Sequence, residues 1–161
     1  MKSINIVPLP KEKWKGHIIP IGYTTNEYYK FSLNSNEKGF NISLEKTPLP
    51  QPITHTPDEH DYPDSLYQDY FPEAQAYGVL EGENLVAAIE ICPEEWSNRL
   101  RVTELWVADH LHRKGIGHAL MEKAKEEAQK QKRRAIILET QSCNVNAIGF
   151  YLHEGFTLIG F

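Results

Sequence analysis

The sequence predicts an α+β fold of mixed α/β character, with a mostly antiparallel sheet that ends in one parallel strand pair and helices on its faces. Three observations carry this. Ala76-Tyr77-Gly78-Val79-Leu80 and Leu85-Val86-Ala87-Ala88-Ile89-Glu90-Ile91 are strand-like runs joined by Glu81-Gly82-Glu83-Asn84, and together they describe an antiparallel hairpin. A further strand-like run, Arg99 to Ala108, follows them closely. Beyond it an amphipathic helix leads to the short, nearly all-apolar run Ala135 to Thr140, and a strand, helix, strand order of this kind makes a parallel, right-handed crossover.

In chain order, residues 1–73 hold most of the prolines, among them Pro48, Pro50, Pro52, Pro57, Pro63 and Pro72, and show weak helical periodicity. Short strands, turns and one long loop are predicted there. Ile4-Asn5-Ile6-Val7 and Phe40-Asn41-Ile42-Ser43-Leu44 alternate apolar with polar residues and are the candidate strands. Thr47 to Pro57 is expected to continue neither helix nor strand, because its prolines delete backbone donors and fix φ. After Ala74 the hairpin begins, and Pro93-Glu94-Glu95-Trp96-Ser97-Asn98 connects it to the next strand.

The helix runs from Gly115 to about Gln131. Ile116, Ala119, Leu120, Ala124 and Ala128 share one face, and Glu122, Lys123, Glu126, Glu127 and Lys130 are assigned to the solvated face. Val145 to His153 reads as a second helix and Phe156 to Phe161 as a last strand. That strand ends with the chain, so the strand that pairs with it is expected to be missing, through truncation or because another molecule supplies it.

A length of 161 residues, 40% hydrophobic and 24% charged, fits one domain over residues 1–161, in which 1–75 form an acceptor-side half. The net charge of -5 and pI near 5.8 give no general footprint for nucleic acid and favour a cationic partner. No apolar run is long enough to span a bilayer and the start lacks a signal peptide's pattern, so a cytoplasmic location without membrane association is expected. Cys92 and Cys143 lack a paired spacing and read as reduced small hydrophobes. His110, His112 and His118 scatter about one turn, and no metal site is expected.

The chemistry concentrates at His112-Arg113-Lys114-Gly115-Ile116-Gly117-His118, which opens the helix directly after the strand Thr103 to Val107 and the turn Ala108 to His112. Free N–H groups at a helix start, backed by the helix dipole, bind anionic phosphate, and glycine lets the backbone approach closely. Arg113, Lys114 and His118 add charge at the rim. A dinucleotide-binding pattern would need a third glycine where Leu120 stands, and a nucleotide P-loop would need Gly-Lys-Ser/Thr; neither is present.

This segment resembles the pyrophosphate signature of the GNAT superfamily, Arg/Gln-x-x-Gly-x-Gly/Ala, at every position except His112. The family's second signature, Asn-x-x-Ala-x-x-x-Tyr-x-x-x-Gly-Phe, is matched by Asn144, Ala147, Tyr151, Gly155 and Phe156. The resemblance, best over residues 76–161, implies a GNAT fold with a splayed parallel strand pair and an acetyl-CoA-dependent N-acetyltransferase without metal. It further implies that the backbone of Leu105, Trp106 and Val107 pairs with the pantetheine arm and that His112 to His118 hold the pyrophosphate. Asn144, Ala147 and Tyr151 would then lie by the thioester, with Tyr151 as the acid that protonates the departing thiolate.

Two carboxylates are candidates for the base, Glu104 before the turn and Glu139 after the helix. Each interrupts an apolar strand, where an ionised side chain is costly unless it reaches water, a partner or a substrate cation; either could instead be salt-bridged. Asp58 to Glu73 concentrates carboxylates beside tyrosines, a composition suited to a cationic amine. Within the superfamily the pattern is most like that of streptothricin acetyltransferases, which implies a small antibiotic amine as acceptor and resistance by acetylation. A peptide or protein N-terminal amine is the alternative acceptor, a non-catalytic CoA-binding module the alternative class, and a homodimer is compatible with either.

Overall fold

The computed structural model describes residues 4–59 and 63–160 and divides into two compact units. The first comprises the described residues of Met1–Ile21 and Pro57–Glu139, the second those of Gly22–Thr56 and Thr140–Phe161.

In the first unit the predicted hairpin forms. β4 (Gln75–Glu81) pairs antiparallel with β5 (Asn84–Glu94), with Gly82 at φ +63 in the turn. β5 pairs antiparallel with β6 (Arg99–Val107), and β6 pairs parallel with β7 (Ala135–Ile137) across the crossover helix α2 (Ile116–Lys130). β1 (Val7–Leu9) closes the other edge, giving the sheet order β1-β4-β5-β6-β7. The mixed sheet with one parallel pair is therefore as predicted.

Val86 to Cys92 in the central strand β5 are buried without a break. Ala88 and Cys92 belong to a core with Leu9, Trp14, Ile19, Leu66, Tyr67 and Ala74; Trp14 ends the short helix α1 (Lys11–Trp14). Alternation puts Ala87, Ile89 and Ile91 on the opposite face. There α2 packs on β5 and β6, burying Ile116, Leu120, Met121, Ala124 and Ala128.

In the second unit, β2 (Tyr23–Asn36) and β3 (Gly39–His55) form a long antiparallel ribbon, and α3 (Val145–His153) packs on β2. Both cysteines are free thiols.

Five expectations are corrected. The first strand lies at Val7–Leu9 rather than at 4–7, because Leu9 is the side chain the core takes in while Ile4 stays exposed. Residues 23–55 form two long strands instead of short strands and a loop. β3 continues through Pro48, Pro50 and Pro52 because the register jumps there, from Glu27 opposite Pro48 to Thr25 opposite Ile53, so that Pro50 and Pro52 lie in a bulge whose backbone owes the ladder no donor. β7 spans half of the apolar run that predicted it, since its pairing with β6 stops at Ile137. Glu127 is buried, its carboxylate shared by Lys123 and Lys130, both at 2.8 Å. Residues 156–160 form no strand, because no described element offers them a ladder, and Leu158 and Ile159 are exposed.

Candidate active site

β6 and its connection to α2 place the predicted site residues of the first unit. β7 accompanies β6 only along Arg99 to Arg101, so from Val102 to Val107 the far edge of β6 has no strand partner among the described residues. Leu105, Trp106 and Val107 thus present an open backbone edge of the kind an extended amide-bearing chain can join. At its end the Val107 carbonyl is bonded to His112 Nε2 at 2.7 Å. A carbonyl only accepts, so Nε2 carries the proton there. The departure from Arg/Gln at position 112 is accounted for locally: this side chain ties the turn to the end of β6.

The chain then makes a 3₁₀ turn, Asp109–Leu111, and reverses through Arg113 (φ +59) and Gly115 (φ +79) into α2. Gly115 is the N-cap and supplies no side-chain cap. The first N–H groups of an α-helix have no acceptor within it, so those of α2 stay available to an anion. Space where a Cβ of Gly115 would stand is open, and Arg113, Lys114 and His118 are exposed around it. These residues fit a pyrophosphate: backbone donors, a positive helix end and two permanent cations converge on one turn.

Further back along β6 lies a bulge. Glu90 of β5 faces Glu104, and the next pair is Ile91 with Val102, so Thr103 is the extra residue. Glu90 is fully buried, accepting hydrogen bonds from the Tyr67 N–H at 2.5 Å and the Thr103 hydroxyl at 2.8 Å. Among the described residues Glu104 has no such donors to hold its charge. Burial pushes its carboxyl up to about 8, and the negative charges of Asp64 and Glu90 add to the effect. A carboxylate held near that value is suited to accept a proton at neutral pH. Burial also raises Tyr70, with further contributions from Glu104, Asp64 and Glu90, so Tyr70 stands in the same acidic neighbourhood.

Glu139, the other candidate base, is in a different condition. It lies beyond the end of β7, 83% of its side chain is exposed, and it bonds to Arg101 at 2.9 Å. Arg101 also engages Glu94, which Arg99 bridges as well. The salt-bridged alternative is the one realised at Glu139.

In the second unit, the Asn144-to-Phe156 signature encloses one helix from cap to cap. Asn144 Oδ1 accepts the Ala147 N–H at 3.2 Å as the N-cap of α3. At the other end Gly155 takes φ +92, its N–H bonds to the Leu152 carbonyl and the Phe156 N–H to the Tyr151 carbonyl, which is the Schellman arrangement. The rings of Phe156 and Tyr151 meet edge to face with centroids 6.0 Å apart. Tyr151 is half-buried.

Comparison with known proteins bears directly on this geometry. The profile of the Acetyltransferase (GNAT) family matches residues 41–156. The chain belongs to that family. It is accordingly an acetyltransferase, and acetyl-CoA is its co-substrate. A streptothricin acetyltransferase of Escherichia coli is 34% identical over 131 residues, covering 81% of this chain and 68% of that protein. Among solved structures, a nourseothricin acetyltransferase superposes with a TM-score of 0.71 at 23% identity, over 97% of this chain and 84% of the other. A chain from Bacillus anthracis str. Ames, solved in complex with acetyl coenzyme A, superposes at 0.75 and 22% identity, over 98% and 86%. The family match begins at residue 41, well before residue 76.

Sequence reasoning passed over one buried carboxylate that faces Glu104, Glu90. Its signal was present: a lone carboxylate inside Ala87-Ala88-Ile89-Glu90-Ile91-Cys92. The acidic stretch Asp58 to Glu73 is only partly described, since residues 60–62 lie outside the described set. Within the rest, Tyr67 is core: its hydroxyl bonds to the Leu9 carbonyl and takes the Ala76 N–H at 3.1 Å, so its face is not offered to an amine. Asp69 is engaged by Lys15 at 2.7 Å. No helix is long and apolar enough to cross a membrane among the described residues.

Proposed function

We propose that this acetyltransferase transfers the acetyl group of acetyl-CoA to a primary amine of a small cationic acceptor of the streptothricin type, as a single domain over residues 1–161. The observation that carries the reading is Glu104: a half-buried carboxyl raised to about 8, at a bulge beside the open edge of β6, with Asp64 and Tyr70 as its neighbours. An ammonium group entering this neighbourhood is attracted by Asp64 and Glu90 and gives its proton to Glu104. The neutral nitrogen then attacks the thioester carbonyl, the C–S bond breaks, Tyr151 gives its phenolic proton to the departing thiolate, and the surplus proton of the acylated nitrogen restores the phenol. Leu105 to Val107 align the pantetheine arm, His112 to His118 hold the pyrophosphate, and Asn144 and Ala147 set the helix that carries Tyr151. The roles of Asn144, Ala147 and Tyr151 rest on the signature alone. The identity to the Escherichia coli enzyme supports the acceptor class.

Acetyl-CoA consumption measured against streptothricin, polyamines, aminoglycosides and peptides tests the reading. Turnover is expected with streptothricin, and kcat/KM is expected to rise with pH to a plateau above about 8 as Glu104 ionises. Glu104→Gln should lower kcat by roughly 10²–10⁴, while Glu139→Gln should change it little. Preferred turnover of peptide amines would overturn the acceptor assignment, and unimpaired Glu104→Gln the assignment of the base.

A further inference from the structure

Glu90 is the one described carboxylate with no exposure at all, and among the described residues it does not sit in an ion pair. Burial raises its carboxyl, the Tyr67 N–H and Thr103 hydroxyl partly counter this, and Lys11 adds a weaker favourable charge. A glutamate in such a place, opposite Glu104 and with Asp64 close by, is an expensive way to fill a strand. Its two bonds show what it does.

One oxygen takes the backbone N–H of Tyr67, which stands at φ +61, a left-handed conformation that a bulky L-residue adopts only when its surroundings impose it. The other takes the hydroxyl of Thr103, the extra residue of the bulge beside Glu104. Segment 64–67 is tied down elsewhere as well: Ile19 N–H bonds to the Asp64 carbonyl at 2.8 Å, Gly16 N–H to the Leu66 carbonyl at 2.9 Å, and the Tyr67 hydroxyl to Leu9. Those bonds hold the segment to the N-terminal strand and helix. Among the described residues, Glu90 is the link that ties Tyr67 to the bulge that carries Glu104.

We propose that Glu90 is a positioning residue of the acetyltransferase: its carboxylate clasps Tyr67 and Thr103 together, and so sets Asp64 and Tyr70 against Glu104 in the geometry that receives the amine. This rests on the reading of Glu104 as the base. The charged and titratable groups around the pair are Asp64, Tyr67 and Tyr70 on the acceptor-side segment, Lys11 on α1, and Cys92 two residues along β5.

The test compares Glu90→Gln and Thr103→Val with the parent enzyme, using acetyl-CoA consumption with streptothricin as acceptor across pH 6 to 10, with thermal melting of each protein. Glu90→Gln keeps the shape but removes the charge and one acceptor. Its kcat/KM for the amine should fall about tenfold while KM for acetyl-CoA stays put. The rising limb of its pH profile should move to lower pH, because one negative charge beside Glu104 is gone. Thr103→Val, which keeps the charge and opens the clasp, should show the loss for the amine without that downward move. A pH limb that does not move in Glu90→Gln, or a loss no larger than its melting accounts for, overturns the proposal. Should Glu90→Gln fail to fold, unchanged amine kinetics in Thr103→Val overturn it. Full activity in Glu104→Gln would instead sink the base assignment, whatever the Glu90 variants do.

Discussion

Two glutamates, Glu90 and Glu104, lie in successive strands and face each other across β5 and β6, yet their environments differ. Glu90 accepts hydrogen bonds from the Tyr67 N–H and the Thr103 hydroxyl; Glu104 is raised to about 8 by burial and by two negative neighbours, which leaves its proton exchangeable near neutral pH. The same contrast has a cost in stability. A carboxyl whose value is raised by folding favours the native state at low pH, and that contribution is lost as pH rises from its unfolded range, about 4.5, through about 8. Glu104→Gln removes the loss. Its melting temperature should therefore exceed that of the parent by more at pH 9 than at pH 5, and an equal difference at both values would contradict the assignment.

Among the elements, α2 and α3 show how differently two motifs of one family can work. The turn before α2 leaves helix donors unsatisfied: Gly115 provides a left-handed N-cap and nothing that competes for them. Gly117 follows inside the first turn, and a branched side chain there should obstruct the pyrophosphate. Isothermal titration of a folded Gly117→Val variant should show acetyl-CoA binding weakened at least tenfold. The signature around α3 does the reverse and satisfies both helix ends, with Asn144 as N-cap and Gly155 in the Schellman turn. Asn144→Ala should cost about 1 kcal/mol of stability, read from denaturant unfolding, whatever it does to activity.

At the scale of the molecule, the net charge of -5 and the negative charges of Asp64 and Glu90 beside Glu104 would act in one direction on the cationic acceptor proposed above. Attraction of this kind is screened by salt, over a Debye length of about 10 Å at 0.1 M. KM for streptothricin should therefore rise severalfold between low and high ionic strength, with kcat nearly constant. Salt-independent KM would mean that contacts other than charge select the acceptor.

The sequence by itself determined the elements whose signals are local. The β4–β5 hairpin, α2 and α3 were legible because a turn glycine, a 3.6-residue apolar stripe and a pair of caps act within a few residues of one another. It also determined the family, through residues spaced along Arg113 to Phe156. What depended on pairing across the chain was decided only in three dimensions. β3 runs through its prolines because a bulge excuses their missing donors, and β7 stops early because β6 leaves it. Between Glu104 and Glu139 the sequence stayed neutral, since each reads as a carboxylate in an apolar run. The tertiary structure separated them by solvent: Glu139 is largely exposed and reaches Arg101, while Glu104 is half-buried beside Asp64 and Glu90, and desolvation is what changes a carboxyl's chemistry.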